Sequence, residues 1–266
     1  MKRVLFNCDD FGKSHEVNAA VLQAHREGVL GSASLMVTGA AFSEAVEIAR
    51  ANPSLKVGLH LVLCNEKPLL RADQVPGLIN GNGHLLDPTR IGVKLAFNQK
   101  AMGQASAEIK AQFESFMATG LVPSHVDGHH HLHMHPFIFT ECIRWAEKFG
   151  FHRIRVTREF GDPLPPRRDF KKFLAKCACH FTFTGLSAVC NRSLVKSPLQ
   201  YLEGVLGLWE TGRMDEEYLL YAIPQLPAGD WEVYMHVGSP GSEEELPAML
   251  SPKLKNLLKE QNIECL

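Results

Sequence analysis

Short apolar runs of strand length alternate with segments of helical period from the first residues onward, the pattern of βα units repeated around a parallel sheet. Residues 4–7 read as a buried strand. Ser14 caps a helix continuing to residue 27, with Val17, Ala20, Val21 and Ala24 on one side and Gly28 closing it. A second strand at 35–38, a helix over 42–51 stopped before Pro53, and a third strand at 56–63 follow. Residues 64–95 carry Pro68, Pro76, Gly77, Gly81, Gly83 and Pro88 and read as a long loop directly after a strand. The pattern then resumes with a helix at 99–117, a strand at 124–128, a helix at 137–148 and a strand at 153–156. Residues 160–198 are less regular, and a helix at 214–223, a strand at 231–235 and a helix at 247–260 complete the chain. The fold class this implies is α/β, a TIM-like (β/α) barrel. With 266 residues, 45% of them hydrophobic, the whole of 1–266 is expected to form one domain with elaborated loops near 64–95 and 160–198.

Charge and cysteine content narrow the partners. Lys and Arg number 28 against 29 Asp and Glu, so no overall field draws nucleic acid. Residues 4–6 are too short for a signal core, and the weakly polar stretch 29–42 falls short of the roughly 20 residues that cross a bilayer. Seven scattered cysteines fit a reducing compartment, so a cytoplasmic location is expected, with contact at the inner membrane face left open. Cys177-Ala178-Cys179-His180 lacks the spacer of a metal knuckle and reads as helix thiols.

Barrels of this kind assemble their sites at the C-terminal ends of strands, and the polar residues there line up. The first strand ends in Asp9 and Asp10, the third contains His60, a later one runs into His125-Val126-Asp127-Gly128-His129-His130-His131, and the last ends at His236. Adjacent aspartates point oppositely in a strand, but at a bend both can face a site, one ligating and one accepting a proton. An acidic turn before a helix explains the pair equally cheaply. His60 sits in an otherwise apolar strand. Six of the 13 histidines fall between positions 125 and 135, where an extended backbone would put His125, Asp127, His129, His131, His133 and His135 on one face. Spacing does not choose the ligand among them, and an outer partner such as Asp127 is expected for any metal-bound imidazole.

These residues resemble the YdjC-like carbohydrate deacetylases, a barrel family related to the polysaccharide deacetylases. The likeness runs through Asn7-x-Asp9-Asp10-Phe11-Gly12, Gly58-x-His60, His125-x-Asp127-x-His129-His130-His131-x-His133 and His236. It implies a distorted or seven-stranded barrel holding one divalent ion, zinc first, with magnesium or another ion as alternatives, on Asp10, His60 and His129. Asp9 is implied as the base. Looser analogy with the wider superfamily makes His236 the general acid and Arg155 the residue that orients Asp9; apart from that analogy, His125, Asp127 and His131 are expected to support the metal or touch substrate, since metal-bound imidazoles need an outer partner. The chain departs from its relatives at His236-Val237, where His-Pro is common, and over 160–198.

The expected reaction is removal of the acetyl group from an N-acetylglucosamine-type sugar. Residues 6–14 look like the hopanoid-associated branch, which implies a sugar carried on a hopanoid lipid, soluble chitooligosaccharides being the alternative. Arg167, Arg168, Lys171 and Lys172 beside Phe170, Phe173 and Leu174 suit a helix lying in a membrane interface, giving an expected peripheral contact within 167–186; an ordinary amphipathic helix has the same pattern. Two other readings stand beside these. His125-Val126-Asp127 with His236 has the spacing of a non-haem iron oxygenase triad. A non-catalytic metal- or carbohydrate-binding protein would also use the histidine run. Self-association is left open.

Overall fold

The computed structural model describes residues 1–160 and 170–266, with side chains described for 1–160 and 179–266. β1 (Lys2–Phe11) leads into α1 (His15–Glu27), which Ser14 caps by accepting the Val17 amide at 3.3 Å. Then come β2 (Ser32–Leu35), α2 (Phe42–Ala51) and β3 (Lys56–Leu61). α3 (Pro88–Phe97) and α4 (Gln99–Ala118) precede β4 (His125–Gly128), a 3-10 turn (His129–Met134), α5 (Pro136–Phe149) and β5 (Arg153–Ile154). α6 (Phe170–Leu194), β6 (Gly204–Leu206), α7 (Glu216–Gln225), β7 (Gly229–Met235), α8 (Glu245–Leu250), α9 (Pro252–Glu260) and β8 (Glu264–Cys265) complete the order.

The seven main strands are parallel, in the order β5-β4-β3-β2-β1-β7-β6, and β8 adds to β1. Isolated bridges join Arg153 to Gln200 and Glu159 to Val205, so the continuation of β5 meets the β6 side and the sheet curls into an α/β barrel. Strand alternation sorts the residues by face. Val4, Phe6 and Cys8 enter the core shared with the helices, whereas Asn7 and Asp9 turn inward. The lumen is polar: Asn7, Asp9, Ser34, His60, His125, Asp127, Arg155 and Glu232 are each at most 2% exposed. The apolar core is therefore the layer between sheet and helices, and the inside of the barrel is available for chemistry.

The barrel-type reading holds, with local corrections. β2 begins three residues earlier than expected, because Ser32 and Ser34 are polar lumen residues that an apolar-run criterion skips. The 64–95 stretch is not all loop: Asp87 accepts the Arg90 amide at 3.0 Å and Pro88 opens α3, so residues read as turn formers are a helix start. The irregular 160–198 stretch contains α6, and the single helix expected at 247–260 is broken at Ser251, with Pro252 opening α9. Arg167 and Arg168 of the expected interfacial pattern lie outside the described residues, and the side chains of its remainder through Leu174 and of Cys177 are not described. No helix among the described residues is long and apolar enough to cross a membrane.

Candidate metal centre

At the end of β1 the register with β2 shifts between Cys8 and Phe11, and Asp10 takes a left-handed φ of 65°. This break in alternation lets neighbouring aspartates both face the lumen mouth, where a regular strand would send one outward. The Lys13 amide donates to the Asp10 carbonyl at 3.0 Å and the Gly12 amide to Asn18 Oδ1 at 2.8 Å, which fixes the turn.

Asp10, His60 and His129 converge there, one ligand atom from each lying within 4.8 Å of the others. Asp10 Oδ1 is 2.9 Å from Nδ1 of His129 and 3.3 Å from Nε2 of His60, while Asp10 Oδ2 accepts from Lys13 Nζ at 2.9 Å. His60 is the inward residue of β3, and its Nδ1 donates to Asp127 Oδ1 at 2.7 Å. Room for this arrangement comes from Gly58, where a Cβ would lie 2.4 Å from the His125 carbonyl oxygen and 2.5 Å from two atoms of its ring.

Asp9 joins a second, overlapping group with His60 and Asp127, whose ligand atoms also lie within 4.8 Å of one another, but its two oxygens are taken up by other partners. Arg155 grips it with two hydrogen bonds, Nη1 to Oδ2 at 2.8 Å and Nη2 to Oδ1 at 2.7 Å, and Asn7 Nδ2 donates to Oδ1 at 2.8 Å. The same guanidinium reaches Asp127 Oδ2 at 2.7 Å and Glu232 Oε1 at 2.6 Å. Ser34 Oγ donates to Asp127 at 2.7 Å and accepts from Asn7 at 2.8 Å.

Three buried carboxylates, Asp9, Asp127 and Glu232, thus surround one fully buried guanidinium, while the buried Asp10 faces Lys13 and the two imidazoles. Burial alone would push the His60 imidazole down, but the Asp127 charge and the hydrogen bonds to Asp10 and Asp127 outweigh it and raise it to about 10. Burial would raise Asp10, yet its hydrogen bonds to His129 and His60 hold it well below the usual carboxylate range. The donor set, two imidazoles and a carboxylate with an outer carboxylate on one ring, fits zinc or a similar divalent ion.

The histidine run does not stay extended. After Gly128 the chain turns, and His130 and His131 take φ of 52° and 53°, so the shared face expected through His135 ends at Asp127. His129 remains with Asp10. His130 points out to solvent, while His131 Nε2 meets Tyr234 Oη at 2.9 Å and its ring packs edge-on against Phe183. His133 Nε2 donates to the Arg155 carbonyl at 3.1 Å, and His135 ends the turn. His125 donates from Nε2 to Ser34 Oγ at 3.0 Å, and burial first, then the charge of Arg153, pushes it down to about 3. The oxygenase set of His125, Asp127 and His236 does not converge among the described residues. His236 follows β7: its amide donates to Glu245 Oε2 at 2.5 Å, its ring lies 5.8 Å from that of Tyr234, and its Nδ1 is buried without a partner among the described residues.

Sequence reading did not single out Asn7, Lys13, Ser34, Glu232 or Glu245 as site residues. Glu232 carried a usable signal, a carboxylate between Trp231 and Val233 in an apolar strand. Ser34 was hidden by the misplaced start of β2. Lys13 and Glu245 lie in a turn and a helix whose approach to the site depends on tertiary structure.

The chain matches the YdjC-like protein family over residues 3–260 and belongs to that family. A carbohydrate deacetylase of Brevibacillus brevis is 39% identical over 147 residues, 55% of this chain and 56% of the relative. A chitooligosaccharide deacetylase of Serratia marcescens is 33% identical over 159 residues, 59% of this chain and 60% of the relative. The matches thus span somewhat over half the length of these curated relatives. Among solved structures, an Enterococcus faecalis protein described as a candidate cellobiose-phosphate cleavage protein superposes with a TM-score of 0.73 at 22% identity, covering 100% of this chain and 97% of its own. That likeness concerns the fold.

Proposed function

We propose that this chain is a metal-dependent carbohydrate N-deacetylase, hydrolysing the acetamide of an N-acetylglucosamine-type sugar to acetate and a free amine. The observation that carries the reading is the separation of roles at the barrel mouth. Asp10, His60 and His129 group as candidate ligands, and both oxygens of the adjacent Asp9, which lies within ligand distance of His60 and Asp127, are bonded by Arg155. The family membership and the deacetylase names of the relatives supply the substrate class. A divalent ion on the trio, zinc by its donors, would act as a Lewis acid toward the amide carbonyl and lower the pKa of bound water.

The chain's own residues supply the rest. Asp9 takes the proton of the attacking water; Arg155 and Asn7 fix its oxygens so that little reorganisation accompanies the step. Glu232 and Asp127 hold Arg155 in turn. His236 donates a proton to the departing amine, which leaves poorly without one, and Glu245 anchors its backbone. The sugar is carried on a lipid in the finer form of this reading, with contact to a membrane surface through 167–186. The 74% exposure of Phe181 on α6 is consistent with such contact.

The test is acetate release from chitooligosaccharides and from an N-acetylglucosaminyl lipid, using chelator-stripped enzyme before and after zinc is restored. Release only after reconstitution supports the reading, and the better substrate distinguishes its soluble and lipid forms. No release from any N-acetyl sugar sinks it. Liposome co-sedimentation should weaken when Arg167, Arg168, Lys171 and Lys172 become Gln, and equal binding by both forms removes the membrane contact.

A further inference from the structure

The two oxygens of Asp10 face different partners. Oδ1 faces both imidazoles of the trio, 2.9 Å from His129 and 3.3 Å from His60. Oδ2 accepts from Lys13 Nζ at 2.9 Å. Lys13 itself is held from a second side by Glu66 Oε1 at 3.7 Å, on the segment that follows β3, and its side chain is 35% exposed at the rim. The ammonium is therefore placed between a buried carboxylate and a rim carboxylate.

We infer that Lys13 is a positioning residue that restricts Asp10 to a single ligating oxygen and so keeps a coordination position free for water and substrate. The inference rests on the metal-dependent reading above. A carboxylate can bind a divalent ion through one oxygen or both, and a zinc site with three protein ligands is catalytic because a position stays open. An ammonium on Oδ2 engages the oxygen that would otherwise fill it. Its positive charge also opposes the incoming cation. Lys13 thus trades affinity for an open site, and its removal should move affinity and turnover in opposite directions. A residue that merely supports the fold would lower both.

The experiment compares wild type, Lys13→Met and Lys13→Arg as full chains, first stripped with chelator and then titrated with Zn2+ against a chromophoric chelator and with Co2+ by visible absorption. Lys13→Met keeps the stem of the side chain and loses the charge. It should bind Zn2+ roughly ten-fold or more tightly. Its Co2+ bands should weaken as coordination number rises, and its acetate release should fall. Lys13→Arg should retain the wild-type spectrum. A Lys13→Met protein with wild-type affinity and spectrum overturns the inference, even if its KM rises, because Lys13 would then be a substrate contact. Weaker Zn2+ binding by Lys13→Met overturns it as well. If wild type takes up neither ion, the metal-dependent reading itself fails.

Discussion

Asp127 Oδ1 lies 2.7 Å from Nδ1 of His60, which leaves Nε2 of the same ring directed at Asp10, 3.3 Å away. One carboxylate thereby sets both the orientation of the imidazole and the nitrogen it presents to a cation. In Asp127→Asn the charge is gone and an amide replaces one acceptor. Zinc affinity should fall by roughly 10–100-fold, the usual size of an outer-partner loss. Competition titration measures it. Unchanged affinity would mean that the ring is oriented by packing alone.

Arg155 is the one buried cation shared by Asp9, Asp127 and Glu232, with distances of 2.6 to 2.8 Å. Arg155→Met preserves much of the volume but leaves three carboxylates without it. Breaking a buried ionic cluster from one side costs about 3–5 kcal/mol. Urea denaturation of the metal-free protein should show a loss of that order, and a loss below about 1 kcal/mol would show that the carboxylates relax or take up protons instead.

Asp9 and Asp10 are neighbours in sequence with separate assignments. Asp9→Asn keeps Asp10, His60 and His129, so metal content should match wild type while turnover falls by about 10²–10⁴-fold, the range for a lost general base. Metal analysis alongside acetate release checks both. Full activity would remove Asp9 from the reaction, and loss of metal would show that the two aspartates share the ligand role.

The parts of this site that were legible in sequence are those carried by strand position. Asp10, His60 and the Asp127–His129 segment sit at strand ends, where a polar residue in an apolar run has no cheaper explanation when several coincide. Choice among the histidines was not legible from spacing, because it depends on the turn after Gly128: His130 and His131 adopt left-handed backbone that strand alternation does not anticipate. The barrel was legible in its strand and helix alternation, but β6, with three residues, is too short for a period to register. The polar lumen escaped notice for a related reason. Ser34 and Glu232 become site residues only when parallel strands bring them to Asp127 and Arg155.

Gly58 tests whether the close approach of β3 and β4 matters to the centre. These strands pair with Leu59 beside Val126 and His60 beside Asp127, and a Cβ at Gly58 would stand 2.4 Å from the His125 carbonyl oxygen. Backbone does not yield that distance cheaply, so Gly58→Ala must push the strands apart or displace the His125 ring from Ser34. Overpacking of this kind costs about 1–3 kcal/mol. Because His60 and Asp127 are the next inward pair on the same two strands, metal affinity should fall together with stability. Gly81→Ala is the control: nothing lies within 4 Å of its added Cβ. It should change stability by no more than about 0.5 kcal/mol and leave affinity intact. Thermal and urea unfolding with a zinc competition titration on both variants decides the matter. A Gly58→Ala protein with wild-type stability and affinity would show that β3 and β4 can separate without disturbing the trio.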